Sequence, residues 1–565
     1  MTLFEKILAS RGLQGSKRDA FLHPSYDAKH DPFLLPDMDM GVERLIAAHK
    51  AQEKITIYGD YDIDGLTATT LLLDAFDKFG FRNIETFMPN RFVEGYGLTV
   101  DAMDRIATSG TTLIVTVDCG SLSEREITYA KKLGIDVIVT DHHNVAKVQP
   151  PAVAVINPKR QYDEYPDEYE NYCLKESSEY QGRLYPFVDL AGVGVAFKLV
   201  QALQTKLPGL DEGQEKWLLD LVALGTVCDI VSLVDENRAN VYWGLKVLGQ
   251  TKRPGLKALM LVAGIQQEYV NARNLGFGLG PRMNASGRLE TAQYSLDLLR
   301  ANDGTVAYEL AQKLDTMNSK RKTEQERIMK EAERQLAQYI DDAVLVVSGK
   351  NWNHGIVGIV AAKIVEKYHK PTFVLEEMVD EARGSARSFG DFSVADAIRA
   401  ASTYVVKGGG HKYAAGVTMK LDDIPRFRKK VNEYYDELQL SSQSLLYRQK
   451  PDETAQLSEI TEQLVTSFGL LEPFGNANPE PSLWIEDVKI VRIRRMGTEG
   501  QHLKISLIDT TEQDDIEVLS FNAPAEWIGL EVGWRVNIQI QPMLNEWRGN
   551  RAVEGKLLHI EIREN

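Results

Sequence analysis

Three short apolar runs, each closing on a carboxylate, constrain this chain more than any other feature. KITIY at 54–58 leads into the acidic loop GDYDIDG at 59–65. TLIVTV at 112–117 ends in Asp118, and DVIVT at 136–140 ends in Asp141, His142 and His143. Helical patterns lie between them, one of them over 66–79, and a further apolar run spans 152–156. Runs this short and this continuously apolar, alternating with helices, predict parallel strands covered on both faces. In such a sheet the loops at the carboxyl ends of the strands form the ligand crevice, so the acidic loops are expected to meet there.

The first loop sets Asp60, Asp62 and Asp64 at alternate positions ahead of a helix. Crowded like charges raise one another's pKa unless a cation neutralises them. An Asp at a helix start also serves as a plain cap and needs no metal. The spacing lacks the Gly and the downstream Glu of an EF-hand. Asp118, the 141–143 triplet and Asp229, which closes TVCD at 226–229, extend the candidate ligands to four segments. Mixed carboxylate and imidazole sets suit Mn2+ or Mg2+ better than Zn2+. More than four ligands imply two ions sharing a carboxylate. That pair suits in-line displacement at phosphorus, one ion activating water and both stabilising phosphoryl charge.

The rest of the 565-residue chain reads as further domains. We divide it into a helical segment at 1–50, an α/β domain at 51–300, a bridging helix at 301–340, a smaller α/β domain at 341–445 and a β-barrel at 446–565. The long helix follows from 305–340, which lacks Gly and Pro and carries one polar face. The barrel follows from short period-two runs after residue 484. Residues 159–186 hold six tyrosines and seven acidic against four basic residues, and read as a surface insertion, either a solvated loop or a partner site. The net charge of −16 argues against a general nucleic-acid coat but leaves room for a local groove. No apolar run reaches the length of a membrane span, no basic-then-apolar leader opens the chain, and the three cysteines are scattered, so cytoplasmic residence is expected.

DYDIDG at 60–65, VDCG at 117–120, TDHH at 140–143 and GTVCD at 225–229 resemble the four motifs of the DHH phosphoesterase superfamily. Within it the chain is similar to the RecJ family of single-strand-specific exonucleases. Further similar segments are NRFVEGYG at 90–97, LAGVGVAF at 190–197, GPRMNASGR at 280–288, HGIVGIV at 354–360, RGSARS at 383–388, GGGHKYAAG at 408–416 and EPFGNANP at 472–479. The 159–186 insertion and Asn144 depart from the pattern. The resemblance implies a DHH domain joined by the long helix to a DHH-associated domain, then an oligonucleotide-binding (OB) barrel. It implies 5′-to-3′ hydrolysis of single-stranded DNA to mononucleotides in repair and recombination, with a helicase and the single-strand-binding protein as partners and a monomer expected. Asp62, Asp64, Asp118, His142 and Asp229 become the metal ligands with Asp118 as bridge, Asp60 and Asp141 ligands or their partners, and His143 faces the scissile phosphate. DHH enzymes that cut short RNA, phosphoadenosine phosphate or cyclic dinucleotides are rivals, but they resemble only the first two domains.

Two regions carry phosphate-binding chemistry. The glycine-rich turn around His411 brings backbone amides close to a ligand, or is simply a tight packing turn. Arg383, Ser385, Arg387 and Ser388 offer the donors that phosphate takes. By resemblance Arg91, Arg288, Ser385 and Arg387 surround the strand and its terminal 5′ phosphate, with Arg282 the rival to Arg288. In the barrel Phe521, Trp534 and Trp547 either stack on bases or fill the core. Residues 484–565 hold ten Lys/Arg against fourteen Asp/Glu, so only a local face around Arg492, Arg494, Arg495 and Arg548 is basic.

Overall fold

A computed structural model describes residues 1–160, 184–440, 450–497, 500–547 and 549–563. Most of the 159–186 insertion therefore lies outside the described residues. Its two ends are not surface: Arg160 is buried and bonded to Asp37 and to the Val155 carbonyl, and Leu184 and Tyr185 are buried. No helix of the described residues is long and apolar enough to cross a membrane.

The first sheet contains β1 (Ile55–Gly59), β2 (Ile84–Phe87), β3 (Leu113–Val117), β4 (Asp136–Thr140) and β5 (Ala154–Ile156), ordered β2-β1-β3-β4-β5 and parallel throughout. Every residue of β1 and β3 is buried, as unbroken apolar runs require. β2 escaped the sequence reading because it is a half-exposed edge strand of alternating polarity, IETF. The helix Ile63–Phe79 packs against the helices Gly192–Gln204 and Leu219–Cys228.

The bridging helix runs from Gly304 to Leu336, 33 residues. Its buried stripe is apolar near both ends, but Asn318, Arg321 and Gln325 interrupt it at the middle. Arg321 donates to the Asn318 side-chain oxygen at 3.0 and 3.2 Å and to that of Gln325 at 2.9 Å. Further along, Ile328, Ala332 and Leu336 share a core with Trp352 and the helix His354–Tyr368. The second sheet comprises β6 (Leu345–Lys350), β7 (Thr372–Glu377), β8 (Glu381–Arg387), β9 (Lys407–Gly410) and β10 (Ala414–Lys420), ordered β6-β7-β8-β10-β9 and antiparallel from β7 onward.

The third sheet holds β11 (Glu453–Thr454), β12 (Leu483–Met496), β13 (His502–Ile508), β14 (Asp515–Ser520), β15 (Arg535–Trp547) and β16 (Asn550–Ile562). The ladder runs β12-β13-β14-β16-β15, and β15 pairs again with β12, so it returns on itself as an OB-like barrel does. Contacts divide the chain into two units: Met1–Lys29, Ser232–Tyr242 and Gln449–Asn565 in one, His30–Val231 and Trp243–Arg448 in the other. The N-terminal segment is thus not a unit of its own. Leu3, Ile7 and Leu8 belong to the core that the barrel strands build.

Candidate metal centre and phosphate pocket

The loop after β1 folds tightly because Gly65 has no side chain: a Cβ there would lie 2.5 Å from the Asp60 carbonyl oxygen. Asp62 caps the helix Ile63–Phe79, accepting from the Asp64 and Gly65 amides at 3.0 and 3.2 Å. The Asp64 carboxylate accepts from the amides of Gly192 and Val193 at 2.6 and 2.8 Å, at the start of the helix Gly192–Gln204. Asp118 leaves β3 with φ 62°, a left-handed conformation uncommon outside glycine. A Cβ on Gly192 would sit 2.8 Å from its Oδ1, so only glycine lets that helix start against this carboxylate.

These elements bring the candidate ligands together. His142 Nε2 lies 3.1 Å from Asp118 Oδ1, 3.5 Å from Asp229 Oδ2 and 3.8 Å from Asp64 Oδ2. Three groups have ligand atoms within 4.8 Å of one another: Asp60, Asp62 and Asp118; Asp64, His142 and Asp229; Asp118, His142 and His143. Asp118 and His142 each belong to two of them. The buried Asp60 Oδ1, Asp118 Oδ1 and His142 Nε2 have no hydrogen-bond partner among the described residues. Burial, then the neighbouring carboxylates, raises Asp64 to about 7 and Asp229 to about 9, and pushes Asp60 and Asp118 well above the carboxylate range. Burial, then the nearby His143, lowers His142 to about 3, so its imidazole is neutral with a lone pair to give. Orphaned oxygens, repelling carboxylates and a neutral imidazole are what bound divalent cations relieve, so this donor set fits two of them.

Asp141 lies outside these groups. Its carboxylate accepts from the amides of Ser121, His142 and His143 at 3.0, 2.8 and 3.1 Å, and meets His143 Nδ1 at 2.9 Å. Burial disfavours its charge, but the His143 contact and these amides outweigh it and hold its pKa below the usual range. Burial likewise opposes charge on His143, yet Asp141 and the facing acids raise its pKa. The sequence reading did not single out Tyr96, whose hydroxyl reaches His143 Nδ1 at 3.0 Å and the Asp118 carbonyl at 3.3 Å. Its one available signal was a lone aromatic between two glycines.

Beside the acids lies a cluster of guanidiniums. Arg288 is half-buried and donates to the Gly355 carbonyl at 3.0 Å. Burial, then Arg91, Arg321 and Arg387, lowers its pKa to about 9. Arg91 stacks over the Tyr61 ring at 4.1 Å. Among the described residues none of these four arginines makes an ion pair. Gly358 leaves the space that Ser385 and Arg387 need: a Cβ there would lie 3.3 Å from Ser385 Oγ and 3.2 Å from Arg387 Nη2. Arg282 is held elsewhere, by Asp315 at 2.8 Å and the Gly278 carbonyl at 2.7 Å, so of the two rivals it is Arg288 that joins the cluster. His411 turns toward the triplet loop, with Nδ1 3.2 Å from the Asn144 side-chain amide. Arg321 and His354 were missed in the sequence, Arg321 because it looked like one more polar helix residue. Among the described residues His354 Nδ1 is buried without a partner, and burial, then Arg383 and Arg91, lowers its pKa to about 4.

Residues 54–226 match the DHH family, N-terminal domain, residues 341–437 the DHHA1 domain, and residues 451–559 the RecJ OB domain. The chain is 33% identical over 580 residues to the single-stranded-DNA-specific exonuclease RecJ of Escherichia coli, covering 98% of this chain and 94% of that one. It is 35% identical to the Bacillus subtilis protein of the same name, covering 97% of this chain and 66% of that one. Among solved structures, RecJ of Thermus thermophilus in complex with Mn2+ superposes with a TM-score of 0.78 at 26% identity, over 100% of this chain and 76% of that one.

Proposed function

Because the chain belongs to the RecJ family of DHH phosphoesterases, we propose that it hydrolyses single-stranded DNA from the 5′ end, releasing mononucleotides during repair and recombination. It is a phosphodiester hydrolase that works with Mn2+ or Mg2+. One observation supports the reading above all: a metal-fitting acid cluster lies next to four guanidiniums that lack carboxylate partners among the described residues. Acids alone suit any phosphodiester, whereas the adjoining arginines suit a strand end.

Asp60, Asp62, Asp64, Asp118, His142 and Asp229 hold the ions in this reading, with Asp118 shared. Bound cations supply an activated water and neutralise charge building on the phosphoryl oxygens. His143, oriented by Asp141, hydrogen-bonds a phosphoryl oxygen as it gains charge. Arg91, Arg288, Ser385 and Arg387 bind the terminal phosphate and so give the reaction its direction. The glycine-rich turn at His411 holds the strand opposite the triplet loop. The same reading gives a helicase and the single-strand-binding protein as partners of a cytoplasmic monomer.

Strands labelled at either end test it. With Mn2+, label should leave the 5′ end first and as mononucleotide. A 5′-phosphorylated strand should give the higher kcat/KM, and Arg387→Ala should narrow that gap, since a charge-assisted contact to phosphate orients the end. Label released first from the 3′ end would overturn the polarity.

A further inference from the structure

Asp60 and Asp62 offer oxygens to the metal centre, and the residue between them faces the other way. The Arg91 guanidinium carbon lies 4.1 Å from the Tyr61 ring centroid. Among the described residues Arg91 Nε is buried without a hydrogen-bond partner, and around Arg91 stand the guanidiniums of Arg288 and Arg387 and the imidazole of His354. Mutual repulsion pushes Arg91 out of such a cluster unless an attractive surface holds it, and a ring face is one. The ring is itself anchored by its backbone. A Cβ on Gly287 would lie 3.1 Å from the Tyr61 carbonyl oxygen, so the helix Gly280–Leu289 approaches closely there and carries Arg288 to the same place.

We propose that Tyr61 is a positioning residue: its ring is the shelf that sets Arg91 for the terminal phosphate, so one tripeptide, Asp60-Tyr61-Asp62, ties the strand-end pocket to the metals. This rests on the reading of Arg91 as a ligand of the 5′ phosphate. The tie fixes the distance from the strand end to the hydrolysed bond, and with it the length of the product. A loosened shelf lets the end seat at more than one depth, so longer products appear.

The test compares kcat/KM on 5′-phosphorylated and 5′-hydroxyl strands for wild type, Tyr61→Phe, Tyr61→Leu, Arg91→Ala and the Tyr61→Leu/Arg91→Ala pair, with product lengths read from the same reactions. Melting curves and Mn2+ titration calorimetry establish that each protein is folded and binds metal, and Tyr61→Met takes the place of Tyr61→Leu if the latter does not fold. Tyr61→Leu should lower the phosphate preference about tenfold, mainly through KM, as expected for a partly desolvated cation–π contact. It should also raise the fraction of dinucleotide product. Tyr61→Phe should keep the wild-type preference, and in the Arg91→Ala background Tyr61→Leu should change it no further. An unchanged preference in Tyr61→Leu, an equal loss in Tyr61→Phe, or a loss of the same size with and without Arg91 overturns the proposal. If Arg91→Ala loses the preference and Tyr61→Leu keeps it, only this inference falls. If wild type has no preference, the 5′ reading falls with it.

Discussion

Asp118 is the carboxylate on which two of the three ligand groups depend, and its left-handed backbone is what aims it there. Asp118→Ala should therefore abolish Mn2+-dependent hydrolysis while the protein still folds, and near-normal activity in a folded variant would rule out a shared ligand. Asp141 acts differently, through the ring it orients. Asp141→Asn keeps the shape but weakens the hold on His143, and losses of about 10–100-fold are typical when such a supporting partner is changed. Activity measured at saturating Mn2+ separates this from a loss of metal. The ligands themselves make metal-free stability depend on pH. Asp64 is raised to about 7 and Asp229 to about 9, against about 4 in an unfolded chain. A raised carboxylate contributes stability that is present below pH ~4 and lost as pH climbs through the folded value. Chelator-treated protein should thus melt at progressively lower temperature from about pH 5 to pH 9. Adding Mn2+ should raise the melting temperature most at the alkaline end, where the ligands bind without releasing protons. A flat profile would show that the acids are not coupled as the geometry indicates.

At the scale of elements, the centre exists because one helix start is pressed against two strand-end loops. The amides of Gly192 and Val193 hold Asp64, and the bare Cα of Gly192 admits Asp118. Gly192→Ala forces a methyl group into that contact. Overpacking of this kind costs about 1–3 kcal/mol, and here the displaced atoms belong to a candidate ligand, so Mn2+ affinity should fall alongside stability. Calorimetric titration of the variant checks it, and wild-type affinity would mean that the helix shifts as a body. The bridging helix has a comparable division along its length. Its apolar stripe holds each end, while Asn318, Arg321 and Gln325 place a buried guanidinium near Arg288.

At the scale of the molecule, the charge of −16 coexists with exposed arginines on β12. The C-terminal unit is built from discontinuous pieces, with Leu3, Ile7 and Leu8 sharing a core with Leu464, Phe468 and the barrel strands. Cutting the chain near residue 482 would split that core, so single substitutions are the sound way to probe the barrel. Phe521 is 66% exposed, which makes it available for stacking, whereas Trp534 is partly buried against the core. The side chains of Trp547 and Arg548 lie outside the described residues. Phe521→Ala should weaken binding of long single strands by about 1–3 kcal/mol, the worth of one base stack, without slowing turnover of a saturating short strand. Equal losses on short and long strands would place its role in the chemistry instead.

Strand ends that close on acids were legible in the sequence, because a buried parallel strand must be apolar throughout and its crevice lies at its carboxyl end. The candidate ligands followed from that, since Asp60, Asp62, Asp64, Asp118, His142 and Asp229 sit within a few positions of recognisable strands or helix ends, while their separate roles came only from the family resemblance. β2 was not legible, because a half-exposed edge strand has no unbroken apolar run. Nor were Tyr96, Arg321 and His354. Their roles depend on which side chains face them across hundreds of residues of chain, and neither periodicity nor composition carries that information. Asp141 shows the division within one residue. The sequence set it beside two histidines, but only the folded loop puts three backbone amides and His143 around its carboxylate and turns His142 toward Asp64, Asp118 and Asp229.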